Sequence, residues 1–216
     1  MLGFYNYTVV ATYMGLTSGV MGIFFAMSSR PHLAVICLMI AGFFDMFDGK
    51  IARTCKTRSA SAQRFGIQID SLSDLICFGV LPAIIGLSLG LRRLWFIPLM
   101  AVYILAALIR LAYFNVREEE RQEQTDEVRK SYEGLPVTSV ALIFPFAVCV
   151  SMGASLIFGL HIAPVIYAVT MGLVALAFVS KFKVPKPGTI ALIGFALCGV
   201  AELVLMITLL ALGKFR

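Results

Sequence analysis

Charge is what this sequence has least of. Of its 216 residues, 14% are Asp, Glu, Lys or Arg, against about 25% in a typical soluble domain. That shortage excludes an ordinary soluble fold, a disordered chain and a solvated coiled coil. Histidine is almost missing: His32 and His161 are the two present. Neither has a neighbouring cysteine or acid, so both are read as interface residues. The five cysteines, Cys37, Cys55, Cys77, Cys149 and Cys198, are odd in number and form no CxxC pair. Neither a zinc ribbon nor a disulfide framework is supported. Most of them sit in apolar runs, where cysteine packs as a small hydrophobe, as the ten scattered methionines do. The opening residues, MLGFYNYTVV, lack a basic leader segment and a small-residue cleavage site. The first apolar run is therefore expected to be a retained membrane span.

What is present is apolar: 60% of the residues, with a mean hydropathy of +0.92. A helix needs about 20 apolar residues to cross a bilayer. Seven stretches qualify: 6–27, 33–53, 67–90, 94–114, 136–159, 162–180 and 189–213. The expected fold class is an all-α polytopic membrane bundle, a single domain over 1–216. Orientation follows from Lys and Arg. With the loop after the second span inside, 13 of the 18 basic residues face the cytoplasm and 5 face out. That asymmetry predicts a cytoplasmic N-terminus and, with seven spans, an outer C-terminus. The net charge of +6 then reports inside-positive loops and contact with anionic lipid rather than nucleic acid. Segment 115–130, NVREEERQEQTDEVRK, carries mixed charge and helix formers, and is expected to continue the fourth span into solvent. The basic run KFKVPKP, 181–187, reads either as a lipid-attracting loop or as a topology determinant.

The acids are the informative residues. Seven of the twelve lie between 118 and 133, and Glu202 is alone in the last span. The other four, Asp45, Asp48, Asp70 and Asp74, lie in or at the ends of the second and third spans. Each intramembrane carboxylate costs about 2.5–3.5 kcal/mol, so something must offset four. Asp45 and Asp48 are three apart, and Asp70 and Asp74 four apart, so each pair shares a helix face. Consecutive spans run antiparallel, so all four can converge at one membrane edge. Four carboxylates cannot stay ionised together without cations. Oxygen-only ligands suit Mg²⁺, Mn²⁺ or Ca²⁺, and two metals bridged by carboxylates recur in phosphoryl chemistry. Gly49, Ala52 and Gly66 allow close approach of a ligand or helix, and Arg53 and Lys56 add positive charge. The pattern points to a site for metal and a phosphate-bearing ligand at the membrane surface. Glu202, far from this group in sequence, is not expected to be catalytic.

Written out, the segment is Asp45-x2-Asp48-Gly49-x2-Ala52-Arg53-x12-Gly66-x3-Asp70-x3-Asp74. It resembles the signature of the CDP-alcohol phosphotransferase family. FGIQIDSLSDLICFGVLPA at 65–83, RLAYFNV at 110–116 and YEGLPVTSVAL at 132–142 resemble the phosphatidylserine synthase branch. The likeness covers roughly residues 1–160. In one respect the chain departs from it: many relatives carry an asparagine near Gly15, and this chain has none there.

The resemblance implies the roles. Asp45, Asp48, Asp70 and Asp74 would ligate the metals, two Mg²⁺ or Mn²⁺ ions. Asp74 would also be the general base. Gly49, Ala52 and Gly66 would line the nucleotide pocket, with Arg53 near the phosphates. The donor would be CDP-diacylglycerol, the acceptor L-serine, and the second product CMP, at the cytoplasmic face of a homodimer. Arg110 and Asn115 are candidates to hold the acceptor carboxylate. Arg110 would otherwise reach for the headgroups. The loop Tyr132–Pro136 would either cover the site or form a simple turn. Alternatives within the family are inositol phosphate, glycerol 3-phosphate or choline as acceptor, or an ether-lipid donor giving archaetidylserine. A divalent-cation or proton-coupled transporter is the alternative from another class, since intramembrane acids serve transporters too.

Overall fold

Helix after apolar helix accounts for the chain in the computed structural model, which describes residues 3, 7–54, 59–124, 131–158, 162–185 and 188–212. The helices are α1 (Val10–Met27), α2 (Pro31–Thr54), α3 (Ala60–Asp74), α4 (Leu81–Ser88), α5 (Phe96–Gln124), α6 (Val140–Phe158), α7 (Ala163–Val179) and α8 (Thr189–Ala211). A π-helical segment, Leu75–Val80, joins α3 to α4, so these three make one continuous third span. Among the described residues, six helical stretches are long and apolar enough to cross a membrane. At 17 residues, α7 is shorter, about 25 Å at 1.5 Å per residue. The protein is a helical polytopic membrane bundle, as composition and hydropathy predicted.

Close packing at the front of the bundle rests on small residues. A Cβ built on Gly19 of α1 would lie 2.6 Å from Cys77 Sγ, and one on Gly22 would lie 2.9 Å from Leu81. A Cβ on Gly42 of α2 would run into Ala141 of α6. These glycines let α1, α2, α6 and the third span meet backbone to backbone, the usual membrane solution where no hydrophobic drive operates. Ser18 adds a hydrogen bond from its Oγ to the Cys37 carbonyl at 2.9 Å.

The π segment has a local cause. Pro82 has no N–H, so the Phe78 carbonyl four residues back loses its helical donor. The buried Tyr103 hydroxyl on α5 donates to that carbonyl at 2.6 Å. Tyr167 on α7 donates to the Pro82 carbonyl at 2.9 Å. Both tyrosines pack with Phe144 of α6 in an aromatic cluster, with ring centroids 5.6 and 4.8 Å away. The register change directly after Asp74 is therefore held by two other helices.

Helix α3 begins earlier than hydropathy indicates. Ser59 caps it, its Oγ accepting from Ala62 N–H at 3.2 Å. Helix α5 runs on through Gln124, with Arg117, Glu119 and Glu120 exposed. That is the expected solvated continuation; residues 125–130, and Cys55 and Lys56, lie outside the described residues. A feature absent from the sequence reading is a two-stranded antiparallel ribbon, β1 (Ser131–Glu133) with β2 (Lys183–Pro185). Alternating span direction puts it at the same end of the bundle as the carboxylates.

Candidate active site

Helical spacing and antiparallel packing bring the predicted acids together. Asp45 on α2 and Asp70 and Asp74 on α3 each offer a carboxylate oxygen, all within 4.8 Å of one another. Across the two helices the carboxyls meet in pairs, Asp45 with Asp74 and Asp48 with Asp70. Asp48 is buried and accepts a hydrogen bond from Thr12 Oγ1 on α1 at 3.4 Å. A small cavity between α1, α2 and the third span lies behind the group. Ala11, Thr12, Gly15, Ala41, Asp45, Asp48, Ser73, Asp74, Cys77 and Phe78 line it.

The donor set fits a hard divalent cation. Two oxygens on opposite sides of one Mg²⁺ stand about 4.2 Å apart, and on Ca²⁺ about 5 Å. Only one of the three pairs can take opposite sides and the others would close to about 3 Å on Mg²⁺, so the triangle, within 4.8 Å, is brought onto such an ion by side-chain movement. The donors are all carboxylate oxygens, with no His or Cys among them, which favours Mg²⁺ or Mn²⁺ over softer metals.

The flanking signature residues fall around this cluster. Gly49 and Ala52 lie on α2 one turn beyond Asp45 and Asp48, and Arg53 follows them. Their side chains lie outside the described residues. Gly66 is half-buried on α3, one turn before Asp70 and on its face. Asn115 on α5 reaches this end of the bundle. Its side chain and Ser71 are locked together, Ser71 Oγ to Asn115 Oδ1 at 3.0 Å and Asn115 Nδ2 to Ser71 Oγ at 2.9 Å. Ser71 is next in sequence to Asp70, so Asn115 braces the helix that carries two of the acids. Arg110, one turn and a half earlier on α5, is buried. Its Nε donates to the Leu135 carbonyl at 3.1 Å, and its guanidinium lies 5.6 Å from the Phe114 ring centroid. The structure thus places Arg110 inside the bundle against the segment after β1, not extended toward headgroups.

That segment, within Tyr132–Pro136, is pinned at several points. Gly134 has φ +74°, and its N–H donates to the Phe182 carbonyl at 2.7 Å. A Cβ there would press on the Ser180 and Phe178 carbonyls, at 3.0 and 3.2 Å. Leu135 N–H donates to the Ala177 carbonyl at 3.3 Å. Glu133 accepts from the Tyr113 hydroxyl at 2.6 Å and lies 3.9 Å from Arg117. Sequence reasoning missed Thr12, Ser71 and Glu133. Their partners lie 36, 44 and 20 residues away, beyond any local spacing.

Comparison with known proteins decides the family. The family model described as CDP-alcohol phosphatidyltransferase matches residues 6–213, nearly the whole chain. The chain belongs to that family. Its curated relatives include the CDP-diacylglycerol--serine O-phosphatidyltransferase of Saccharomyces cerevisiae, 32% identical over 151 residues, covering 68% of this chain and 53% of the relative. The protein of the same name from Helicobacter pylori is 31% identical over 130 residues, 58% of this chain and 49% of that one. The archaetidylserine synthase of Methanothermobacter thermautotrophicus is 32% identical over 130 residues, 60% and 52%. The alignments span about half the length of these relatives.

Proposed function

We propose that this protein is a CDP-diacylglycerol–serine O-phosphatidyltransferase, moving the phosphatidyl group of CDP-diacylglycerol to the hydroxyl of L-serine and releasing CMP. The observation that carries the reading is the carboxylate triangle of Asp45, Asp70 and Asp74 in a chain matched by the CDP-alcohol family model. The names of the similar proteins support serine as the acceptor.

Asp45, Asp48, Asp70 and Asp74 would hold two Mg²⁺ or Mn²⁺ ions, which would supply positive charge to the donor pyrophosphate and the leaving CMP. Gly49, Ala52 and Gly66 leave room for the nucleotide against the backbones of α2 and α3, and Arg53 lies toward its phosphates. Asp74 accepts the proton of the serine hydroxyl. The serine oxygen attacks the lipid-side phosphorus in line, forming one P–O bond while the P–O bond to CMP breaks. Buried Thr12 and the Ser71–Asn115 lock keep the carboxylates in register. Arg110 and Asn115 supply the acceptor subsite, with the serine carboxylate toward the guanidinium. The site faces the cytoplasm, where nucleotide and serine arrive from water while the acyl chains stay in the bilayer. The working unit is a homodimer.

A second reading differs in the donor. Similarity to an archaetidylserine synthase supports an ether-lipid CDP donor served by the same machinery. Purified protein with Mn²⁺ or Mg²⁺ and either CDP-lipid is the test, reading CMP release on adding L-serine, inositol phosphate, glycerol 3-phosphate or choline. Serine-dependent release is expected. Release with another alcohol alone would discard serine, and a preference for the ether lipid would select the second reading.

A further inference from the structure

The β1–β2 ribbon has no part in holding the carboxylates, yet it carries an unusual surface. The chain from Lys181 to Val184 reads Lys-Phe-Lys-Val, and in an extended strand alternate residues face opposite sides. Strand β2 starts at Lys183 and the Gly134 N–H to Phe182 carbonyl bond carries the pairing one residue further, so Lys183 faces one side and Phe182 and Val184 the other, with Lys181 just before the ribbon. Lys181, Phe182 and Lys183 are all exposed, Phe182 at 42%. The acid directly across the ribbon from Lys183 is Glu133. It is engaged instead with Tyr113 and Arg117 of α5. No ion pair among the described residues involves Lys181 or Lys183.

Position turns this into a membrane surface. Helix α7 ends at Val179 and α8 starts at Thr189, and both are apolar. A chain advances at most about 3.6 Å per residue, so Lys181 stands within about 7 Å of the end of α7. A basic, amphipathic strand held at that depth lies at the headgroup layer. A free loop would let the lysines move into bulk water. Here the Gly134–Phe182 hydrogen bond holds the two chains of the ribbon together, and the Leu135–Ala177 hydrogen bond ties it to α7.

We propose that the ribbon is a binding surface for the anionic phospholipid headgroups of the leaflet that borders the carboxylate site. Lys181 and Lys183 engage the phosphates while Phe182 and Val184 enter the acyl boundary. Leu135, two residues beyond β1, accepts from Arg110, so a lipid seated here also steadies the segment against which that guanidinium is held. The surface rests on the membrane placement and is independent of which alcohol is the acceptor.

The test replaces Phe182 with the photo-reactive amino acid p-benzoylphenylalanine, in full-length protein in nanodiscs of equal phosphatidylcholine and phosphatidylglycerol. Irradiation and mass spectrometry then identify the attached lipid. Phosphatidylglycerol adducts are expected to exceed phosphatidylcholine adducts by about fivefold if one lysine is engaged at a time and by up to about thirtyfold with both, at about 1 kcal/mol each. The ratio should fall to about one with K181Q and K183Q combined. Equal adducts with the lysines present, an excess that survives both substitutions, or adducts to protein alone would each overturn the proposal. Native mass spectrometry of the chain with Phe182 intact reads the same point without the probe, as phosphatidylglycerol retained with the lysines and lost without them. Neither readout needs turnover, so a failed acceptor assay and a failed lipid surface are distinguishable.

Discussion

Two places in this bundle put carboxylates inside a membrane, and they are built by opposite rules. On α2 and α3 four aspartates are set on facing helix surfaces, braced by Thr12 from α1 and Asn115 from α5 through Ser71. On α8 Glu202 is the lone acid, and its Oε2 is buried without a hydrogen-bond partner among the described residues. The surroundings differ too. The helices around the quartet pack through Gly19, Gly22 and Gly42, which leave no room for a Cβ, whereas α8 is largely exposed on the bundle's outside and a Cβ on Gly194 would meet no described residue within 4 Å. A carboxylate is expensive in either place. Clustering with rigid support makes that cost useful under the proposed function, in which the group serves as a cation site, whereas isolation leaves the cost uncompensated.

The contrast ranks the substitutions. The largest effect is expected at the quartet. Asp74→Asn should lower CMP release by about 10²–10⁴-fold, the range for losing a general base, in a protein that still elutes as folded from size exclusion. Next comes the glycine packing. Gly19→Val must displace Cys77 and should cost about 1–3 kcal/mol as overpacking, seen as a lower Tm in detergent. Gly194→Ala on α8 should leave the Tm unchanged. Smaller again is Asn115→Ala. It removes a hydrogen-bonded partner of Ser71, a loss of about 0.5–1.5 kcal/mol. The result should be a roughly three- to tenfold rise in the KM for serine, with the KM for the CDP-lipid less affected. The smallest is Glu202→Gln. Removing an ionisable group from an uncompensated position should leave turnover within about twofold and the Tm equal or higher. A large loss of turnover in Glu202→Gln would break the comparison at its weaker end.

How much of this was legible in the sequence follows from distance along the chain. The acids announced themselves because their spacings of three and four residues are the helical repeat, and because the two helices are consecutive. The seven apolar helices were legible for the same local reason. The supports were not. Thr12 and Asp48 are 36 residues apart, and no periodicity relates them. Pro82 lies inside the run 67–90 that hydropathy reads as one span, and its compensation by Tyr103 and Tyr167 depends on how three helices pack. The ribbon has strands of three residues, too short to show alternation, joined across some fifty positions. Arg110 was legible as an intramembrane cation, while its seat on the Leu135 carbonyl was not.

The account stands on the carboxylates being a cation site that works with a nucleotide. Mn²⁺ binding followed by electron paramagnetic resonance, with and without a CDP-lipid, tests that most directly. Asp70→Asn and Glu202→Gln serve as the two comparison proteins. Tight Mn²⁺ binding that strengthens with the CDP-lipid, is lost in Asp70→Asn and is kept in Glu202→Gln is the predicted result. Mn²⁺ binding that is indifferent to the nucleotide, or equal in Asp70→Asn, would contradict it.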